Sequence, residues 1–394
     1  MKQIFVLLLV LTGFLSPSDA QTIKKLDGSL IDAAVVDQLV QRLMDTAQVR
    51  GLSLAVINDK KTVFIKSYGY RNQPRNERLD TASIMYGASL SKAVFGFLVT
   101  RLAQENLLNL DKPLYQYLPK PLIEYEYFSD LKSDDRWKKI NARMCLSHTS
   151  GLPNLRWFNP ITGVEDTLGV MKIYFDPGSR YAYSGEGFKL LQLAIEEITH
   201  RKLDELANEY VFKPFGMTRT GYVWHESFGD DNVAVGHLNN GKIDIKRKRN
   251  DGVAGGSLVT TIADYARFTE HILRRDGLHN KWFNEMIAPQ IRIHSVTQFP
   301  PITFETTAEN DAVQLAYGLG WGLLQCKEGK AIFKEGNGGS WRNYNINFLD
   351  KGTAIVILVN SENGENIFHS LVNATLGESC IPWKWEGYPS FDLK

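Results

Sequence analysis

The chain has 394 residues, enough for a large core and more than one lobe. Its 45 lysines and arginines nearly balance 44 aspartates and glutamates, so neither nucleic acid nor an acidic surface is indicated as a partner. Three cysteines are too few for a disulfide framework, and they leave the choice of any single pair among Cys145, Cys326 and Cys380 open.

Residues 1–20 carry a basic start at Lys2, an apolar run from Ile4 to Leu11 and small residues at Ser18-Asp19-Ala20. That is the pattern of an export signal cut before Gln21, and it predicts a secreted or periplasmic protein. The run is too short to span a membrane, and no later stretch is long enough. No partner protein is implied. Residues 29–48 then repeat Ile31, Val35, Leu39 and Leu43 at helical spacing. Two extended runs, 52–57 and 63–68, are joined through Asn58-Asp59-Lys60-Lys61 and predict a hairpin.

The stretch Tyr86-Gly87-Ala88-Ser89-Leu90-Ser91-Lys92 opens a helix whose body, with Phe95, Leu98, Val99 and Leu102, is apolar. Ser89 and Lys92 stand at i and i+3, on one face and within reach of each other. Burial costs an ammonium its charge, which lowers its pKa toward a form that accepts a proton. A hydroxyl beside such an amine is an activated nucleophile, and the N–H groups of a helix start suit an oxyanion. The same two residues also fit a helix cap and a solvated side chain, because Ser-x-x-Lys is a short motif.

Residues 113–256 differ in texture, with aromatic, acidic and proline-rich loops between helices. Cys145-Leu146-Ser147-His148-Thr149-Ser150-Gly151-Leu152-Pro153 reads as a loop bounded by glycine and proline. A helix is predicted over 186–199, and Asn240-Gly241 predicts a tight hairpin. The run Lys246-Arg247-Lys248-Arg249 reads as a solvated segment in a charge-balanced chain. Thr261 can cap a helix over 262–273. Alternation of large residues with glycine over 317–322 predicts a strand with something close against its backbone. A short strand is predicted over 331–333. Strict alternation over 343–348 predicts a half-buried strand, 353–359 a central one, and 362–376 a closing helix.

Hairpins at both ends with helices between predict an α+β fold, a mostly antiparallel sheet flanked by helices. The expected division is residues 21–112 with 257–394 as the sheet domain, and 113–256 as a largely helical lobe inserted in it. No metal-ligand spacing or phosphate-binding glycine loop is seen, and no cofactor is expected.

Taken together, these stretches resemble the serine β-lactamase and penicillin-binding superfamily, in its class C β-lactamase-like branch. The resemblance covers nearly the whole mature chain. It rests on Ser89-Leu90-Ser91-Lys92, Leu146 to Pro153, Pro177-Gly178 with Tyr183-Ser184, Phe215-Gly216-Met217-Thr218, Ala254-Gly255-Gly256-Ser257 and Tyr317-Gly318-Leu319-Gly320-Trp321. It implies a serine hydrolase working through an acyl-enzyme on a small-molecule or peptide substrate, with Ser89 as nucleophile and Lys92 taking its proton. Tyr183 matches the tyrosine of Tyr-x-Asn, which implies general base and later acid; read alone, it is equally a core aromatic. The asparagine position holds Gly185. Over Lys334-Glu335-Gly336-Asn337-Gly338-Gly339-Ser340, alignment on the glycines puts Gly336 at the Lys or His of the third motif. The same alignment makes Gly338 the motif glycine and the Gly339 amide the second oxyanion donor, with Asn337 beside the substrate. Lys334 or Arg342 would replace the missing cation. These departures imply a poor β-lactamase and a better esterase or peptidase, with Gly185→Asn plus Gly336→Lys expected to raise nitrocefin turnover more than ester turnover. The alternative within the same fold is a catalytically weak protein that recognises penicillin or peptidoglycan.

Overall fold

The computed structural model describes residues 21–165, 168–299 and 305–388. The proposed signal segment lies outside them. The organising element is a nine-stranded sheet in which every neighbouring pair runs antiparallel. From one edge its strands are Ile291–Arg292, Ala316–Tyr317, Gly322–Cys326, Gly329–Gly338, Trp341–Phe348, Thr353–Val359, Gly51–Asn58, Lys61–Asn72 and Glu77–Arg78. First and last parts of the sequence meet at its centre, where Val356 pairs with Ala55.

Both faces of this sheet are covered, and side-chain alternation divides the core. Ile355, Ile357 and Val359 pack with the N-terminal helix Ala33–Ala47 and the C-terminal helix Phe368–Leu376. Ala354, Val356 and Leu358 face the other way, into a core shared with the helices Leu90–Gln104 and Ile262–Arg274. Into that same core Leu114, Leu122, Phe128, Phe188 and Phe212 project from the segment between residues 113 and 256. Short 3₁₀ turns dominate the first part of that segment, and the helix Gly185–Thr199 is its longest element.

Several predicted elements shift for physical reasons. The first helix begins at Ala33, capped by Asp32, whose side chain accepts from Ala34 N–H at 2.7 Å. Its buried face is Val36, Val40, Leu43, Met44 and Ala47, one position round from the predicted stripe, and Val35 is exposed. Only Tyr317 and Gly322 of the stretch 317–322 are strand residues, and 318–321 form the turn between them. Gly320 there adopts φ +87°, and a side chain at Gly96 would run into the Leu319 carbonyl. The close approach predicted for these glycines is therefore real, but the partner is the Ser89 helix. The short strand over 331–333 is part of a ten-residue one, Gly329–Gly338. The closing helix starts at Phe368, after a 3₁₀ turn over Gly364–Ile367.

The alternating strand is buried on both faces, and asparagines occupy the second one. Asn343, Asn345 and Asn347 are each fully buried and donate to carbonyls or to one another. Cys326 and Cys380 form a disulfide that ties the C-terminal segment to the sheet, and Cys145 is free and buried. No described helix is long and apolar enough to cross a membrane.

Candidate active site

Ser89 sits at a sharp strand-to-helix junction. The short strand Met85–Ala88 pairs with Leu258–Thr260, and the helix begins at Leu90. Between them Ala88 takes φ +47°, a left-handed conformation that costs a residue with a side chain and persists only where its surroundings enforce it. Three contacts enforce it here. Ser91 Oγ donates to the Ala88 carbonyl and accepts from Leu258 N–H at 3.0 Å. Tyr86 Oη donates to the Gly256 carbonyl at 2.6 Å. Asn343 Nδ2 donates to the carbonyls of Tyr86 and Gly336, each at 3.1 Å, fastening the junction to the sheet.

Lys92 is 2% exposed. Its Nζ lies 3.1 Å from Ser89 Oγ and donates to the Gly255 carbonyl at 2.6 Å. Burial holds its pKa well below the ordinary lysine value; the nearby charge of Lys334 lowers it further and Glu335 pulls the other way. The shift biases the amine toward its neutral, proton-accepting form, and the amine is hydrogen-bonded to Ser89 Oγ.

Tyr183 is 1% exposed and stacks on His148 with ring centroids 4.2 Å apart. Lys92 Nζ and Lys334 Nζ each lie 4.9 Å from its ring centre. Its hydroxyl faces Ser89 closely enough to affect its acidity but forms no hydrogen bond of good geometry. Burial, then the Glu335 charge, push the phenol well above its ordinary pKa, and the Ser89 hydroxyl acts in the opposite sense. His148 is fully buried and accepts from Ser184 N–H at 3.0 Å through Nδ1, so it orients the tyrosine.

The cleft beside Ser89 has a volume of about 890 Å³. Ser89, Lys92, Gly185, Gly255 and Asn337 line it, while Gly338, Gly339 and Arg342 do not. A Cβ at Gly185 would stand 2.5 Å from the Asn154 carbonyl oxygen, so no motif asparagine fits there. The Gly255 carbonyl, which the sequence did not single out for this task, holds Lys92 instead. A Cβ at Gly336 would stand 2.5 Å from the Gly87 carbonyl oxygen, so the missing third-motif side chain has no room either. Placing both residues there is therefore expected to damage the site, against the expectation that the pair would raise nitrocefin turnover more than ester turnover.

Arg342 is turned away. Its guanidinium pairs with Glu365 and donates to the Gly339 carbonyl at 2.5 Å. Gly339, at φ +62°, begins the two-residue turn between Gly338 and Trp341, where a side chain would run into Asp244 and Lys246. Gly338 packs on Tyr86 and Ala88. The strand residue presented to the cleft is Asn337, whose Nδ2 donates to Tyr388 Oη at 3.2 Å. Lys334 is fully buried, ion-paired with Glu335 beneath Tyr183, and so cannot meet a substrate from solvent. Among the described residues no cluster of three His, Cys, Asp or Glu could hold a metal.

The family described as Beta-lactamase matches residues 36–372. The chain belongs to the beta-lactamase family. D-alanyl-D-alanine-carboxypeptidase/endopeptidase AmpH of Escherichia coli (strain K12) is 24% identical over 339 residues, 82% of this chain and 83% of AmpH. Protein flp of Staphylococcus aureus (strain N315) is 23% identical over 195 residues, 48% of this chain and 38% of flp. The match thus spans well under half of flp's own length. The octameric penicillin-binding protein homologue from Pyrococcus abyssi superposes with a TM-score of 0.70 at 20% identity, covering 90% of this chain and 80% of that one. The penicillin-binding protein from Bacillus halodurans gives a TM-score of 0.62 at 18% identity, over 82% and 94%. These likenesses agree with the antiparallel sheet and its helices. Within this beta-lactamase family member, the parts of the candidate site that the sequence did not mark are a backbone carbonyl and a buried amide. The Gly255 carbonyl carries no side-chain signal, and Asn343 looked like the solvent face of a strand.

Proposed function

We propose that this beta-lactamase family member is an exported serine hydrolase that acts through an acyl-enzyme on an ester, amide or peptide. The observation that carries the reading is the buried, charge-depressed Lys92 at 3.1 Å from Ser89 Oγ. Ser89 Oγ attacks the substrate carbonyl carbon as Lys92 Nζ takes the hydroxyl proton. The Ser89 amide and an amide at the Asn337 end of its strand would hold the oxyanion. Tyr183, a neutral phenol facing Ser89, would pass a proton to the leaving oxygen or nitrogen as its bond to the carbonyl carbon breaks. Water then attacks the ester on Ser89, with the proton transfers reversed, releasing the acid and restoring the serine. Division of labour follows from the two pKa directions: Lys92 is biased toward its neutral form, which can take a proton, and Tyr183 is kept protonated, so it has one to give.

The test is labelling by a fluorophosphonate probe and turnover of p-nitrophenyl butyrate by wild type and Ser89→Ala. Loss of both in a folded variant is expected; wild-type turnover by Ser89→Ala would overturn the reading. The AmpH likeness makes a D-alanyl-D-alanine peptide the first natural-type substrate to try. Export is tested by N-terminal sequencing of protein from its native host, with Gln21 as the expected first residue.

A further inference from the structure

The basic run Lys246-Arg247-Lys248-Arg249 does not lie on a remote solvated face. It lines the same cleft as Ser89. Besides Lys92, the wall carries seven cationic side chains, these four with Arg75, Arg156 and Lys189, against the four carboxylates Glu77, Glu186, Asp230 and Asp231. Several cations are neutralised from behind, Arg249 by Asp251 at 2.7 Å and Arg156 by Asp130. Arg75 and Arg247 make no hydrogen bond or ion pair with any described residue and are exposed. The exposed acids of the wall are Asp230, which pairs with Lys248, and Asp231.

Lys246 is held in an ion pair that offsets part of its charge and fixes its position. Asp244 accepts from Lys246 Nζ at 2.8 Å and also from Ser340 N–H and Oγ, each at 3.1 Å, pinning the lysine to the turn after Gly338. Its Nζ stands 5.4 Å from the ring centre of Tyr86, three residues before the nucleophile. A positioned ammonium on the cleft wall that Ser89 also lines, with an exposed arginine next to it in sequence, is an arrangement that can recognise an anion at close range and attract it from a distance.

Resting on the serine hydrolase reading, we infer that the cleft selects substrates whose acyl part carries a negative charge, with Lys246 and Arg247 as the specificity-determining residues. A carboxylate or phosphate a few bonds beyond the scissile carbonyl would lie between them, leaving its apolar spacer against Tyr86 and Trp341, which also line the cleft.

The test uses three p-nitrophenyl esters of equal chain length: the hexanoate, the adipate monoester and the 6-(trimethylammonio)hexanoate. Wild type is expected to prefer the anionic ester over the neutral one by about tenfold in kcat/KM, mostly through KM, and to disfavour the cationic one. Rising salt should shrink the preference. Lys246→Glu/Arg247→Glu should reverse the order, whereas Lys327→Glu, an exposed lysine absent from the cleft wall, should leave the ratio as in wild type. Equal rates for the three esters, or a ratio unmoved by the double variant, would overturn the inference while leaving the hydrolase reading intact. No turnover of any ester would instead strike the hydrolase reading. In that case tryptophan quenching of Ser89→Ala by monomethyl adipate against methyl hexanoate still decides the charge preference: tighter, salt-sensitive binding of the anion supports it and equal binding refutes it.

Discussion

Lys92 carries the sharpest consequence at the scale of one residue. Its folded pKa lies below the ordinary 10.5, so the native protein holds fewer protons than the unfolded chain between the two values. Through that window stability rises with pH, and below the depressed value the native state must accept a charge in an apolar site. Activity has the same sign. For p-nitrophenyl butyrate, kcat/KM should climb with pH along a single-proton limb and level off below pH 10.5. A limb centred at or above the free-lysine value would contradict the assignment. Lys92→Arg, always charged, should lose several orders of magnitude in kcat. Ser89 and Lys92 were legible because one helical turn brings them together whatever the fold. Tyr183 was legible only through resemblance, since nothing local says that it stacks on His148 beside them.

Among the elements, close backbone contacts set what can be changed. The Ser89 helix touches the turn at Gly320 through Gly96, so Gly96→Ala forces helix and turn apart. A loss of about 1–3 kcal/mol, read from urea unfolding, is expected. Gly185→Asn and Gly336→Lys meet main-chain carbonyls, of Asn154 and Gly87. Each should lower ester turnover and add no nitrocefin turnover; a gain would mean that the strand has room to move. The strands and helices themselves were largely readable, because 353–359 and 262–273 have clean patterns and clear caps. What failed has a common cause. Period-two patterning reports two unlike faces, and Asn343, Asn345 and Asn347 form a polar face that is nonetheless covered. Likewise, a run of four cations tells nothing of what lies opposite, so the cleft wall at Lys246 was invisible from composition.

For the whole molecule, the closed second and third motifs argue that acyl transfer from a simple ester survives where β-lactam turnover does not. A charged hydrogen bond lost from a site costs about 1.5–3 kcal/mol, roughly ten- to a hundredfold. Nitrocefin should therefore fall well short of 10⁶ M⁻¹s⁻¹ in kcat/KM, the order of an efficient enzyme. The Cys326–Cys380 bridge closes 54 residues of chain and anchors the segment bearing Trp385 and Tyr388. Its removal by Cys326→Ser/Cys380→Ser should cost about 2–4 kcal/mol, seen as a lower Tm. The junction at Ala88 has one further implication. Its left-handed turn is held by Ser91 together with Leu258, Gly256 and Asn343, residues from widely separated parts of the sequence. No early fragment of the chain contains them all. During refolding from denaturant, catalytic competence should thus return last, in step with the final tryptophan fluorescence phase, and no nascent or truncated chain ending before Asn343 should turn over ester at all.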